Sequence, residues 1–197
     1  MDILRSPDDA IDELGDYPTA RRHVEIPAGD GQRLRVHLVD AGPADAPVVV
    51  FLHGNPSWSY LWRRQIAAVV EAGYRAIAPD LVGMGMSDKP SEMADYSVAN
   101  HVEWMRALLI DELDLTDVTL VLHDWGGIIG LRVAAGNPDR VSRMVISNTG
   151  LPYRDINEPL PEIIEASGPF VDFQEMARVA PVWDCLVYTS PSPRDED

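Results

Sequence analysis

The residues Val118-Thr119-Leu120-Val121-Leu122-His123 form an apolar run that ends abruptly in Asp124-Trp125-Gly126-Gly127. This pattern reads as a strand, a sharp turn and a helix, with Asp124 presented on the turn as a nucleophile. Small residues are needed just past such a nucleophile, because the turn is strained and the helix must start close to the sheet. Gly126 and Gly127 meet that need. The helix predicted over 127–137 directs its positive end at the Asp124 carboxylate and favours the anion. The bland alternative is an ordinary helix N-cap, where aspartate is common.

Two other loops carry candidate chemistry. His53-Gly54-Asn55-Pro56 follows the apolar run 48–52, and Pro79-Asp80-Leu81-Val82-Gly83-Met84-Gly85-Met86-Ser87-Asp88-Lys89-Pro90 follows a strand predicted over 75–78. Asn-Pro is a common turn dipeptide. Gly83 and Gly85 read as a turn, since no lysine-bearing phosphate loop accompanies them. His53 and His123 read as structural hydrogen-bonding residues that shape their loops. Trp58 and Trp62 read as core, and Asp111, Glu112 and Asp114 as a solvated helix end. No zinc-ligand spacing occurs, so no metal is expected.

The elements that must position these loops alternate. Short strands are predicted over 23–26 and at Leu34, Val36 and Leu38, whose period-2 pattern implies one covered face. The continuous apolar run 48–52 suits a parallel strand covered on both faces. A helix follows, carrying Trp58, Leu61, Trp62, Ile66, Val69 and Val70 and stopping at Gly73. Val98, Val102, Met105, Leu108 and Leu109 mark a second helix, and a strand over 141–147 follows the elbow helix. Such alternation predicts an α/β fold with a mostly parallel sheet and helices on both faces. Ligands bind beyond the carboxyl ends of such strands, where all three loops converge. The segment 1–17 is acidic and turn-rich. From Leu151 onward Pro152, Pro159, Pro161, Pro169 and Pro181 interrupt two weakly helical pieces, the start of an inserted lid.

Composition bounds the function. A chain of 197 residues with 46% hydrophobic content can bury one sizeable core. Sixteen Lys plus Arg against 32 Asp plus Glu give a net charge of −16, which repels a nucleic-acid backbone. No signal peptide or membrane span is legible, so a cytoplasmic location is the default expectation. The lone Cys185 allows no internal disulfide.

His53-Gly54-Asn55-Pro56-Ser57-Trp58-Ser59-Tyr60-Leu61-Trp62-Arg63, the stretch from Asp80 to Pro90 and His123-Asp124-Trp125-Gly126-Gly127 together resemble the haloalkane dehalogenases, enzymes of the α/β-hydrolase fold. The resemblance implies that Asp124 attacks a halogen-bearing carbon, that Trp125 and Asn55 hold the departing halide, and that a downstream histidine activates water against the resulting alkyl ester. It implies the backbone N–H groups of Asn55 and Trp125 as the oxyanion hole, a halogenated alkane and water as partners, and no cofactor. The chemistry suits the residue types. A carboxylate is charged at neutral pH without a base, unlike serine, and the indole N–H and the amide N–H donate to charge as it develops.

The sequence departs from that family in three places. Phe170-Val171-Asp172-Phe173 lacks the second halide-binding tryptophan that one branch carries in its lid, which leaves the second contact to Asn55. Asn148 stands where another branch has its catalytic acid. His23, His37, His53, His101 and His123 all precede Asp124, so the catalytic acid and base are expected to be absent from this chain. The end, from Cys185 to Asp195, resembles a translated sequencing-library adapter. The expected organisation is therefore 1–150 as the N-terminal part of a hydrolase core, incomplete on its C-terminal side, 151–184 as the beginning of the lid, and 185–197 as a non-native tail. The alternatives are an epoxide hydrolase, for which Tyr153 and Tyr188 are poor lid tyrosines, and a non-catalytic fragment.

Overall fold

The computed structural model describes residues 2–29 and 31–150. The expectations for the lid and the tail lie outside the described residues. Six strands form one sheet in the order β2-β3-β5-β4-β7-β8. They are β2 (Arg21–Pro27), β3 (Arg33–Ala41), β4 (Val48–Leu52), β5 (Arg75–Pro79), β7 (Val118–His123) and β8 (Val141–Ser147). β3 runs antiparallel to β2 and β5, whereas β5, β4, β7 and β8 are mutually parallel. Two short strands, β1 (Ile3–Leu4) and β6 (Lys89–Pro90), form a separate antiparallel pair. The helices are α1 (Arg63–Glu71), α2 (Val98–Arg106) and α3 (Trp125–Gly136).

Side chains of a strand point alternately to its two faces, and β4 shows both faces covered. Val50 and Leu52 join the core that contains Trp104, Met105 and Leu108 of the α2 region and Ile129 and Val133 of α3. Val49 and Phe51 join the opposite core with Trp62 and with Ile66 of α1. Apolar runs without alternation were the sequence signature of this two-sided burial. Ser97 caps α2 by accepting from the Asn100 N–H at 3.1 Å. The helix then continues as a π-helical stretch, Ala107–Glu112.

One expectation is corrected. β3 was expected to cover one face only, yet His37 and Val39 are buried as well as Leu34, Val36 and Leu38. Their cover comes partly from the amino-terminal segment, where Ile11 and Tyr17 join the α1-side core. That segment, acidic and turn-rich as expected, is also tied to the rest of the fold: the Arg5 guanidinium reaches Asp88 at 2.9 Å, and Tyr17 pairs with Ser59 at 2.6 Å. These are contacts across 83 and 42 residues, invisible to any local pattern. Asp111, Glu112 and Asp114 are exposed as expected, and each also meets an arginine, Arg106, Arg33 and Arg140 respectively.

Candidate active site

Asp124 links β7 to α3 with φ +52° and ψ −125°. A non-glycine residue in this conformation carries strain of roughly 1–3 kcal/mol, tolerated only where the surroundings hold it. It occupies the N-cap position of α3, but its side chain makes no capping bond. Instead the Asn55 backbone N–H donates to Asp124 Oδ1 at 2.9 Å, joining the β4 loop to the elbow. Three glycines make this approach possible. A Cβ on Gly54 would meet the Asp124 side chain, and one on Gly126 would meet the backbone carbonyls of Leu52 and His53. One on Gly127 would meet Thr149.

Asn55 and Trp125 both line a cavity of about 220 Å³ beyond the strand ends. Leu81, Met84, Val98 and Ile129 supply its apolar wall, and Tyr96 and His101 complete it. The Tyr96 hydroxyl is already committed, donating to the Pro90 carbonyl at 2.7 Å. The Trp125 backbone N–H belongs to the first turn of α3, where amides have no intrahelical acceptor. A small uncharged molecule lodged here would find a mostly apolar wall and a few donors. The three predicted residues are thus brought together, Asn55 touching Asp124 and sharing a cavity with Trp125.

The supporting shell is built from two buried polar residues. His53 is fully buried; its Nδ1–H donates to the Gly54 carbonyl at 2.8 Å, and its Nε2 accepts the Leu81 N–H at 2.9 Å. Burial lowers its pKa, outweighing the pull of Asp80, so the ring stays neutral and both nitrogens keep their roles. Asp80 is equally buried and accepts from the Ser59 N–H at 2.8 Å, the Met86 N–H at 2.9 Å and His37 Nδ1 at 2.9 Å. Burial pushes its pKa up, but the His37 hydrogen bond and the nearby histidines outweigh it and hold the carboxyl below its ordinary value.

The expectation for His53 as a structural residue agrees with this geometry. His123 differs: its Nδ1 is buried without a hydrogen-bond partner among the described residues, and its ring packs edge-on to Trp62 at 6.4 Å. Trp62 is core, whereas Trp58 is half-buried and stacks on Tyr60 with centroids 5.7 Å apart. Sequence reasoning assigned nothing to Asp80 or His101. The signal for His101 was a polar ring inside the apolar stripe of α2; burial drives its pKa down to about 4. Asp80 stood in a quoted loop with nothing local to mark it as buried. Among the described residues no group of three or more His, Cys, Asp or Glu is arranged to hold a metal ion. No helix there is long and apolar enough to cross a membrane.

A sequence profile of the α/β-hydrolase fold matches residues 47–179, from β4 past the elbow. The chain belongs to the α/β-hydrolase family. Within that family it is 44% identical over 182 residues to a haloalkane dehalogenase of Mycolicibacterium paratuberculosis, a match covering 92% of this chain and 58% of that protein. The chain therefore spans somewhat more than half the length of this relative. Among solved α/β hydrolases, the tetrameric haloalkane dehalogenase DpaA of Paraglaciecola agarilytica superposes with a TM-score of 0.73 and 33% identity, covering 98% of this chain and 67% of that one. Epoxide hydrolase VrEH1 of Vigna radiata superposes with a TM-score of 0.63 and 36% identity over 75% of this chain and 46% of that one.

Proposed function

We propose that the whole protein hydrolyses haloalkanes to an alcohol, a halide ion and a proton, with Asp124 as nucleophile. The observation that carries this reading is the elbow carboxylate held at Oδ1 by the Asn55 N–H, beside a cavity lined by Asn55 and Trp125. Asp124 Oδ2 attacks the halogen-bearing carbon. The carbon–halogen bond breaks, its electron pair leaves with the halide, and an alkyl ester forms on Asp124. The Trp125 indole N–H and the Asn55 side-chain amide receive the departing charge. Water added to the ester carbonyl then makes Oδ1 an oxyanion, which the backbone N–H groups of Asn55 and Trp125 stabilise. We assign activation of that water to none of the five histidines, all of which precede Asp124. His53, with both ring nitrogens engaged, cannot serve as that base without breaking its loop contacts.

A second reading, epoxide hydrolysis, draws support from the Vigna radiata neighbour. The curated relatives favour the first, being named haloalkane dehalogenases at 44–48% identity. The test is intact-mass analysis of the full chain after incubation with 1-bromobutane. A single alkyl adduct mapped to Asp124, with a matching amount of bromide released and neither in Asp124→Asn, is the expected outcome. A folded sample without adduct sinks the proposal, and an adduct formed only with styrene oxide selects the second reading. Repeated bromide release would show that another group frees the ester.

A further inference from the structure

Asp124 is held in its strained conformation by two consecutive residues that follow β8. Its N–H donates to the Asn148 carbonyl at 3.2 Å, and its C=O accepts the Thr149 hydroxyl at 2.6 Å. The same C=O accepts the Gly127 N–H of α3 at 2.9 Å. Asn148 has φ +43°, a left-handed turn that carries the chain from the exposed strand back against the elbow. There the Thr149 side chain fills the space that a Cβ on Gly127 would need. Both backbone polar groups of the nucleophile are thus tied to one dipeptide, whose residues lie 24 and 25 positions further along the chain, one of them by a side chain.

We propose that Thr149 is a positioning residue for the nucleophile: its hydroxyl, with the Asn148 carbonyl, clamps the Asp124 backbone so that the carboxylate points at the Asn55 N–H. The proposal rests on the reading of Asp124 as nucleophile. Its physical basis is simple. A positive-φ aspartate relaxes toward ordinary helical or extended geometry unless its own peptide groups are held, and relaxation swings the carboxylate away from the β4 loop. Thr149→Val keeps the shape of the side chain and removes the donor; Thr149→Ser keeps the donor and removes a methyl.

The experiment compares these two variants with the wild type in the full chain. The first readout is the rate of mass gain with 1-bromobutane. Loss of one hydrogen bond in the clamp is expected to slow alkylation about tenfold in Thr149→Val, while Thr149→Ser retains close to the wild-type rate. The second readout needs no chemistry. The Asn55 amide proton, which donates to Asp124, is expected to shift upfield in Thr149→Val and to stay in place in Thr149→Ser. Thr149→Ala, which removes the hydroxyl without adding bulk, carries both comparisons if the valine variant does not fold. Wild-type alkylation together with an unmoved Asn55 amide in the folded hydroxyl-free variant overturns the proposal, as does failure of serine to rescue. A wild type that gains no mass refutes the nucleophile reading but leaves the amide shift to test the clamp by itself.

Discussion

The halide contacts proposed for Asn55 and Trp125 are separable at the level of single atoms. Trp125→Phe keeps a ring on the cavity wall and removes the indole donor. Asn55→Ala removes the side-chain amide but keeps the backbone N–H that holds Asp124 Oδ1 at 2.9 Å. Each change is expected to slow alkylation by roughly 10²-fold, as for loss of one donor to a developing anion, measured under single-turnover conditions with 1-bromobutane. A variant that reacts at the wild-type rate removes its residue from the halide site. At this scale the sequence was informative where a residue type has one use. Glycines at positions 126 and 127 announced the close approach that the Leu52 and His53 carbonyls and Thr149 impose. It was silent on Thr149, because a threonine after a strand has many uses and only the folded chain shows which oxygen it meets.

Among elements, the loops after β4 and β5 act as one unit, because His53 reaches from the first to the Leu81 N–H of the second. His53 and His101 both resist protonation in the fold, through burial above all. The folded state therefore binds fewer protons than the unfolded chain at these sites. Their contribution to stability is complete above the ordinary histidine value of 6.5 and is lost as pH falls, through about 4 for His101. Asp80, held below its ordinary value of 3.8, adds a loss of the same sign at still lower pH. The urea midpoint is accordingly expected to fall steadily from about pH 7 to about pH 4, with a flatter profile in His101→Gln. A midpoint independent of pH across that range contradicts this account. β4 and β7 were legible because an apolar run is most stable in a covered sheet. The second face of β3 was not, because its cover lies 20 or more residues away in Ile11 and the α1 region.

Considered as a whole, the described part of the molecule ends its sheet at β8, where Met144, Val145 and Ile146 are 48–54% exposed. Exposed apolar side chains on a terminal strand favour pairing between copies, against which the net charge of −16 acts. Association that grows with protein concentration and with added salt is expected for the full chain. Val145→Lys, a charge on that strand, is expected to reduce it by light scattering; equal scattering by both proteins would show that contacts form elsewhere.

The sequence by itself determined the fold class and the three loops of the site. Both follow from local rules: apolar runs must be buried, alternating strands and helices wind into a parallel sheet, and small residues mark close approach. Only the tertiary structure decided how Asp124, the proposed nucleophile, is held. The Asn55 N–H on its carboxylate, Asn148 and Thr149 on its backbone, and Asp80 and His53 beneath the neighbouring loops all act across 21 or more residues. Hydrogen bonds of that span depend on how strands are ordered in the sheet, a property of the packed chain that no local pattern records.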